Sequence, residues 1–345
     1  MRVFGICVLI ILAIIIVWFF VFNDSPDIII ENTDAIDVII PDDTDKNAIT
    51  VLAVGDMMLG RYVETLMNEH GMFYPFEDIG SVFLNFDIVF GNLEGPITFA
   101  HEQTPNNSTK FSFQPDIAPL LSNNHFNLVT LANNHTDDQG EEAYDNTVFL
   151  LEDNNIESFG HASDIGDISM TKKIIKGREI TFIGFNATYP IFDEEEAIDV
   201  VETQASGSES FVAVNMHWGN EYTKFSSSKQ RNLAHKLIDA GADVIIGHHP
   251  HVVQEIEIYE GKPIFYSLGN FIFDQYFSND VQQGLMVAMS IDDIRVEYFL
   301  VPIKSIQSQP RLIDGDEREA FLRGLAVRSD NDLAESIKNG KIVIE

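Results

Sequence analysis

The stretch GADVIIGHHPHVVQ, Gly241–Gln254, decides how this chain is read. Small and branched apolar residues lead into three histidines within four positions, in a chain that has ten histidines altogether. The short apolar run opened by Gly241 reads as a buried strand. Polar residues where such strands run out converge on one edge of an α/β sheet, which is where these folds place their sites. If the backbone stays extended past Pro250, alternation puts His249 and His251 on a shared face and turns His248 away.

The same design recurs along the chain. ITVLAVGD, FDIVFGNLE, NLVTLANNH, EITFIGFN, SFVAVNMHW and KPIFYSLGN are short apolar runs ending in Gly, Asn, Asp, Glu, His or Trp. Helical stretches lie between some of them. SSSKQRNLAHKLIDAG opens on serine caps, carries Leu233, Leu237 and Ile238 on one face and stops at Gly241. GEEAYDNTVFLLEDNN is acidic in its first turn, as the helix dipole favours. Strands alternating with helices predict an α/β fold with largely buried sheets.

Read in order, the strand ends offer Asp56, then Asn92 and Glu94, then Asn133, Asn134 and His135, then His217, and finally His248, His249 and His251. All are oxygen or nitrogen donors suited to a borderline divalent cation. Cys7 is the single cysteine and sits inside the first apolar run, so a metal in the rest of the chain has no thiolate available. Arg61 follows the first strand and is placed to grip a carboxylate or phosphate with two parallel hydrogen bonds, or to lie at the surface. Asp138 either orients His135 or caps the following helix, and the cap is preferred. Asn92, Asn133, Glu221, His248 and Asn270 are expected to support the ligands or the substrate. The chain contains no G-x-S-x-G elbow, P-loop or dinucleotide fingerprint.

The formal charge of −33 argues against a nucleic-acid partner, which needs a basic surface to release counterions. Val3–Phe22 is an uncharged apolar run of roughly 20 residues, enough to cross a hydrocarbon core of about 30 Å. Arg2 before it and Asn23, Asp24 and Asp27 after it predict a single-pass anchor with the amino terminus inside and the remainder extracytoplasmic. A cleaved signal peptide is the competing reading. The expected organisation is a cytoplasmic tip and transmembrane anchor at 1–22, an acidic linker at 23–48, a globular domain at 49–305 and a tail packed on it at 306–345.

GDMMLGR, GNLEGPIT, TLANNHTDDQG, MHWGNEY, GADVIIGHHPHVVQ and YSLGNFIFD resemble the CapA family of poly-γ-glutamate capsule synthesis proteins, in family order from about Ile49 to Ile303. That family is similar to the calcineurin-like metallophosphoesterases. The resemblance implies a four-layer sandwich, with two central mixed β-sheets flanked by helices, holding one or two divalent ions of the Mn, Fe or Zn class. It implies Asp56 and His251 on a first metal, Asn134, His217 and His249 on a second, and Glu94 bridging. His135 would protonate a leaving group. Met58 stands where the phosphoesterases carry a ligand histidine, and Glu94 replaces their aspartate. The implied roles are a metal-dependent hydrolase or transferase, a non-catalytic polymer-binding subunit, or a general exported metallophosphatase. Implied partners are an anionic polymer such as poly-γ-glutamate or another phosphoester or amide, the membrane, and membrane-bound polymer synthase subunits.

Overall fold

A computed structural model describes residues 47–206 and 210–345. The anchor and nearly all of the acidic linker expected from the sequence lie outside the described residues. No described helix is long and apolar enough to cross a membrane.

The strands are β1 (Ile49–Met57), β2 (Ile88–Leu93), β3 (Leu128–Thr130), β4 (Glu157–Phe159), β5 (Met170–Ile175), β6 (Arg178–Asn186), β7 (Phe211–His217) and β8 (Val244–His248). They continue with β9 (Ile256–Tyr259), β10 (Lys262–Phe265), β11 (Asn270–Ile272), β12 (Gln283–Ile291), β13 (Val296–Ile306), β14 (Gln309–Leu312) and β15 (Lys341–Ile344). The helices are α1 (Arg61–His70), α2 (Ile117–Asn123), α3 (Glu141–Asp153), α4 (Glu194–Ala205), α5 (Ser228–Asp239), α6 (Asn279–Gln282), α7 (Gly315–Arg328) and α8 (Ala334–Asn339).

Among the described residues the strands form two mixed sheets. The larger has nine strands in the order β14-β13-β12-β1-β2-β3-β4, with β11 beside β1 and β15 beside β13. The smaller has six, β5-β6-β7-β8-β10-β9. Strands β1 to β4 run parallel, as do β6 to β8. The side chains of β1, β2, β3, β7 and β8 are almost all buried, on both faces, which is why the sequence shows them as continuous apolar runs.

The two sheets pack face to face. Phe90 of β2 meets Phe182 of β6 edge-on at 5.3 Å, and Phe265 of β10 meets Tyr298 of β13 at 5.7 Å. Helices α1, α2 and α3 cover the outer face of the larger sheet through Val63, Met67, Leu121 and Leu151. On the smaller sheet α4 and α5 do the same with Val201, Leu233 and Leu237. This corrects the expectation that the strand-end residues share one sheet edge. Asp56, Asn92 and Glu94 come from the larger sheet, and His217 and His248 from the smaller.

Local chemistry explains where the site helices begin. Ser227 closes a reciprocal capping box on α5: its Oγ accepts from Gln230 N at 3.3 Å, and Gln230 Oε1 accepts from Ser227 N at 2.9 Å. Glu141 and Glu142 occupy the first turn of α3.

Candidate metal centre

Strand register assembles the first half of the centre. Asp56 on β1 lies opposite Asn92 of β2 on one side and Asn270 of β11 on the other. In the smaller sheet His217 of β7 lies opposite His248 of β8. Each strand stops within a residue or two of these positions, so its last polar side chain projects beyond the sheet.

Asp56 is the hub and is fully buried. Its Oδ1 accepts from Asn92 Nδ2 at 2.9 Å and lies 3.1 Å from His248 Nδ1. Its Oδ2 accepts from His249 N at 3.3 Å and lies 3.3 Å from His251 Nδ1. Burial alone would raise its pKa. Hydrogen bonds and charge from His248 and His251 outweigh that and hold the carboxyl well below its usual range.

Glu94 is also fully buried, and its Oε1 has no hydrogen-bond partner. Two imidazole nitrogens, His135 Nε2 and His251 Nε2, both stand 3.8 Å away, too far for a hydrogen bond. Burial pushes the carboxyl up to about 7, with the His251 charge opposing and Asp56 adding to it. His251 is shifted to about 9: burial would lower it, but the Glu94 and Asp56 charges prevail. Its neighbour His249 falls to about 4 through burial and repulsion from His251.

The backbone overturns one expectation. His249 and His251 have φ of 92° and 57°, in the left-handed region. The chain is therefore not extended past β8, and strand alternation fails there. His248 turns toward Asp56 instead of away from it.

His135 is fixed from two sides. Its Nδ1 sits 2.8 Å from Asp138 Oδ2, and its ring stacks on Phe111 with centroids 4.0 Å apart. Asp138 Oδ2 also accepts from Phe111 N at 2.6 Å. Asp138 thus orients His135, and the preferred capping role is not realised, since α3 starts at Gly140 with no side-chain cap. Asn133 steadies the same loop: its Nδ2 donates to Asn92 Oδ1 at 3.0 Å, and its Oδ1 accepts from His135 N at 3.0 Å.

Asn134 and His217 meet each other. His217 Nε2 lies 2.7 Å from Asn134 Oδ1, while its Nδ1 lies 3.3 Å from Asn92 Nδ2. This pattern suits a neutral imidazole, and burial together with repulsion from His249 depresses its pKa well below the ordinary value. Asn270 Oδ1 lies 3.0 Å from His251 Nδ1.

Arg61 departs from its expected role. Its guanidinium forms a two-point pair with Asp274, donates to Ser108 O at 3.0 Å, and lies 4.8 Å from the centre of the Phe111 ring. The fork is therefore occupied by a carboxylate of the chain itself. Asp274, Phe111 and Tyr222, whose ring lies 6.0 Å from His251, were missed from the sequence. Asp274 closes the YSLGNFIFD motif and Tyr222 closes MHWGNEY, which offered a signal; Phe111 offered none.

Among the described residues, two groups of donors are close enough to hold a cation. Asp56, Glu94 and His251 form one, and Glu221, His249 and His251 the other, with the ligand atoms of each group within 4.8 Å of one another. Glu221, expected only as a supporting residue, thus joins a ligand group. The fit to a divalent ion is supported by buried donors lacking any partner: Glu94 Oε1, His248 Nε2 and His249 Nδ1. Met58 is fully buried and accepts from Gly60 N through sulfur at 3.3 Å, so it serves packing.

Residues 50–275 match the sequence profile of the bacterial capsule synthesis protein PGA_cap. The chain is 30% identical to the PGA biosynthesis protein CapA of Bacillus subtilis (strain 168), over 85% of this chain and 81% of that one. It is 29% identical to the capsule biosynthesis protein CapA of Bacillus anthracis, over 87% and 78% respectively. A Mycobacterium tuberculosis (strain CDC 1551 / Oshkosh) protein named "Probable polyglutamine synthesis accessory protein" is 26% identical over 66% of this chain and 75% of its own.

Proposed function

The chain belongs to the PGA_cap family of bacterial capsule synthesis proteins, and from that premise we propose that it serves the synthesis, export or processing of poly-γ-glutamate through a divalent-metal centre. The observation that carries the reading is the set of buried, unpartnered donors on Glu94, His248 and His249 around Asp56 and His251. Asp56, Glu94 and His251 would hold one cation, with Glu221 and His249 as the further donors. Such an ion supplies Lewis acidity toward a carbonyl or phosphoryl oxygen of the substrate.

The residues of the chain do the rest. Asp138 keeps Nδ1 of His135 engaged, so Nε2 faces Glu94 and is free to move a proton to a leaving group. Phe111 fixes the plane of that imidazole. The centre works outside the cell membrane, tethered by the apolar run 3–22. The acidic surface repels a free polyanion, and bound cations would offset that repulsion locally.

A second reading, a non-catalytic accessory subunit, is favoured by Met58. The position that carries a ligand histidine in phosphoesterases is here a core thioether, so the first metal position lacks one donor. Metal analysis of the full-length chain beside His251→Ala tests the centre itself: equal metal content in the two would end the metal reading. Capsule output in cells carrying His135→Ala separates the roles. Loss of polymer with metal content intact supports catalysis, and unchanged output supports the accessory role.

A further inference from the structure

A cavity of about 430 Å³ adjoins the segment that follows the histidine donors. Val252 and Val253, which directly follow His251, form part of its wall, and Lys224 comes from the loop that carries Glu221 and Tyr222. The opposite wall is α7, through Phe321, Gly324 and Arg328. The volume falls in the range of sites that hold small ligands.

Its charge is unusual for this chain, which has 21 Lys and Arg against 54 Asp and Glu. Lys224, Lys304 and Arg328 line the cavity together with only two acids, Asp280 and Glu317. Lys224 is neutralised by Asp280 at 2.7 Å and Lys304 by Glu317 at 2.8 Å. Arg328 forms none of the ion pairs found among the described residues. One of its fork nitrogens donates to Val253 O at 3.3 Å, and its Nε is shielded from solvent with no acceptor. Burial pulls its pKa below the ordinary guanidinium value, against the more distant charges of Glu255 and Asp280, neither of which pairs with it. A half-buried cation with a shielded, unmet donor is costly unless an anion completes it.

We propose that this cavity binds one carboxylate-bearing unit of an amide-linked chain, a glutamyl residue, with its carboxylate on Arg328. The excess of one positive charge suits a monoanion better than a phosphate dianion. Asn279 and Gln283 offer amide donors and acceptors for a peptide-like backbone, and Val252, Val253 and Phe321 offer an apolar wall for methylenes. The proposal rests on the poly-γ-glutamate reading for the identity of its ligand, and it assigns that polymer a holding site separate from the metal donors.

The test is calorimetric titration of the full-length chain in detergent with a γ-linked glutamate pentamer, and separately with inorganic phosphate. Arg328→Gln is expected to weaken pentamer binding at least about tenfold, the value of one charge-assisted contact, with metal content unchanged. Gln283→Glu, which cancels the excess charge and leaves the Val253 contact in place, is expected to weaken it similarly should Arg328→Gln fold poorly. Pentamer binding unaffected by both substitutions but lost in His251→Ala overturns the cavity assignment while leaving the polymer reading intact. No pentamer binding to the unaltered chain overturns both. Phosphate binding that Arg328→Gln abolishes, without pentamer binding, overturns the carboxylate assignment.

Discussion

Gly247 precedes the three histidines, and its missing side chain is a steric requirement. A Cβ there would sit 2.0 Å from Tyr266 O, 2.5 Å from the same carbonyl carbon and 2.8 Å from Trp218 Nε1. The first two contacts are with backbone, so no rotamer can relieve them. The segment after β10 would have to retreat by roughly 1 Å in an interior packed as densely as an organic crystal. That movement pulls on two hydrogen bonds: Trp218 Nε1 to Tyr266 O at 2.9 Å and Leu268 N to Gly247 O at 3.0 Å. Two weakened bonds at about 1 kcal/mol each and overpacking of about 1–3 kcal/mol place Gly247→Ala about 3–5 kcal/mol below wild type. Urea unfolding followed by circular dichroism measures this directly, as a fall in the midpoint of about 1–2 M. Metal content should drop as well, because His248 moves with its neighbour and loosens its contact with Asp56. A variant with both the wild-type midpoint and the wild-type metal content would show that β8 and the Tyr266 backbone are not in the contact described.

Gly324→Ala, at the solvent-open rim of the cavity on α7 where the nearest atom to a new Cβ is Arg328 Nη1 at 3.8 Å, should raise stability by about 1 kcal/mol through helix propensity, read as a higher melting temperature. Arg61→Ala leaves Asp274 nearly buried without its guanidinium and should cost about 3–5 kcal/mol in the same denaturation assay, with Asp274→Asn milder. The metal-free protein should be most stable near pH 6.5. His249, lowered to about 4, gives stability present above its unfolded value near 6.5 and lost as pH falls through 4, up to about 3 kcal/mol. His251, raised to about 9, gives stability present below 6.5 and lost as pH rises through 9. Melting curves from pH 4 to 9.5 in the presence of chelator check both limbs, and a flat profile would contradict them.

Much of this fold is visible in single strands. The run before Asp56 becomes β1, ADVIIGHH becomes β8, and the serine-capped stretch becomes α5 with Leu233 and Leu237 facing the smaller sheet. Apolar length and caps are local signals, and a chain written this way shows them. Which sheet each strand joins is not local. Nothing in ITVLAVGD or SFVAVNMHW says that β1 and β7 belong to different sheets, because that depends on long-range pairing. The candidate residues were legible as polar ends of apolar runs, but their directions were not. His248 was misdirected because two left-handed residues after it break the alternation, and a β-branched or histidine side chain gives no warning of positive φ. Arg61 met Asp274 across 213 positions of sequence, a pairing that the spacing of a motif cannot announce.

The carboxylates of Asp56 and Glu94 belong to one sheet, and His249 and His251 leave the other. An ion held by these donors would act as a rivet across the ends of the two sheets, adding to the apolar packing between them and to the hydrogen bonds that Asp56 and His217 already make across the seam. At a free concentration one hundred times its dissociation constant, that rivet adds about 2.7 kcal/mol against separation. Withdrawing the ion would then loosen the whole sandwich along its seam, so that scarcity of metal is felt as a protein easier to pull apart.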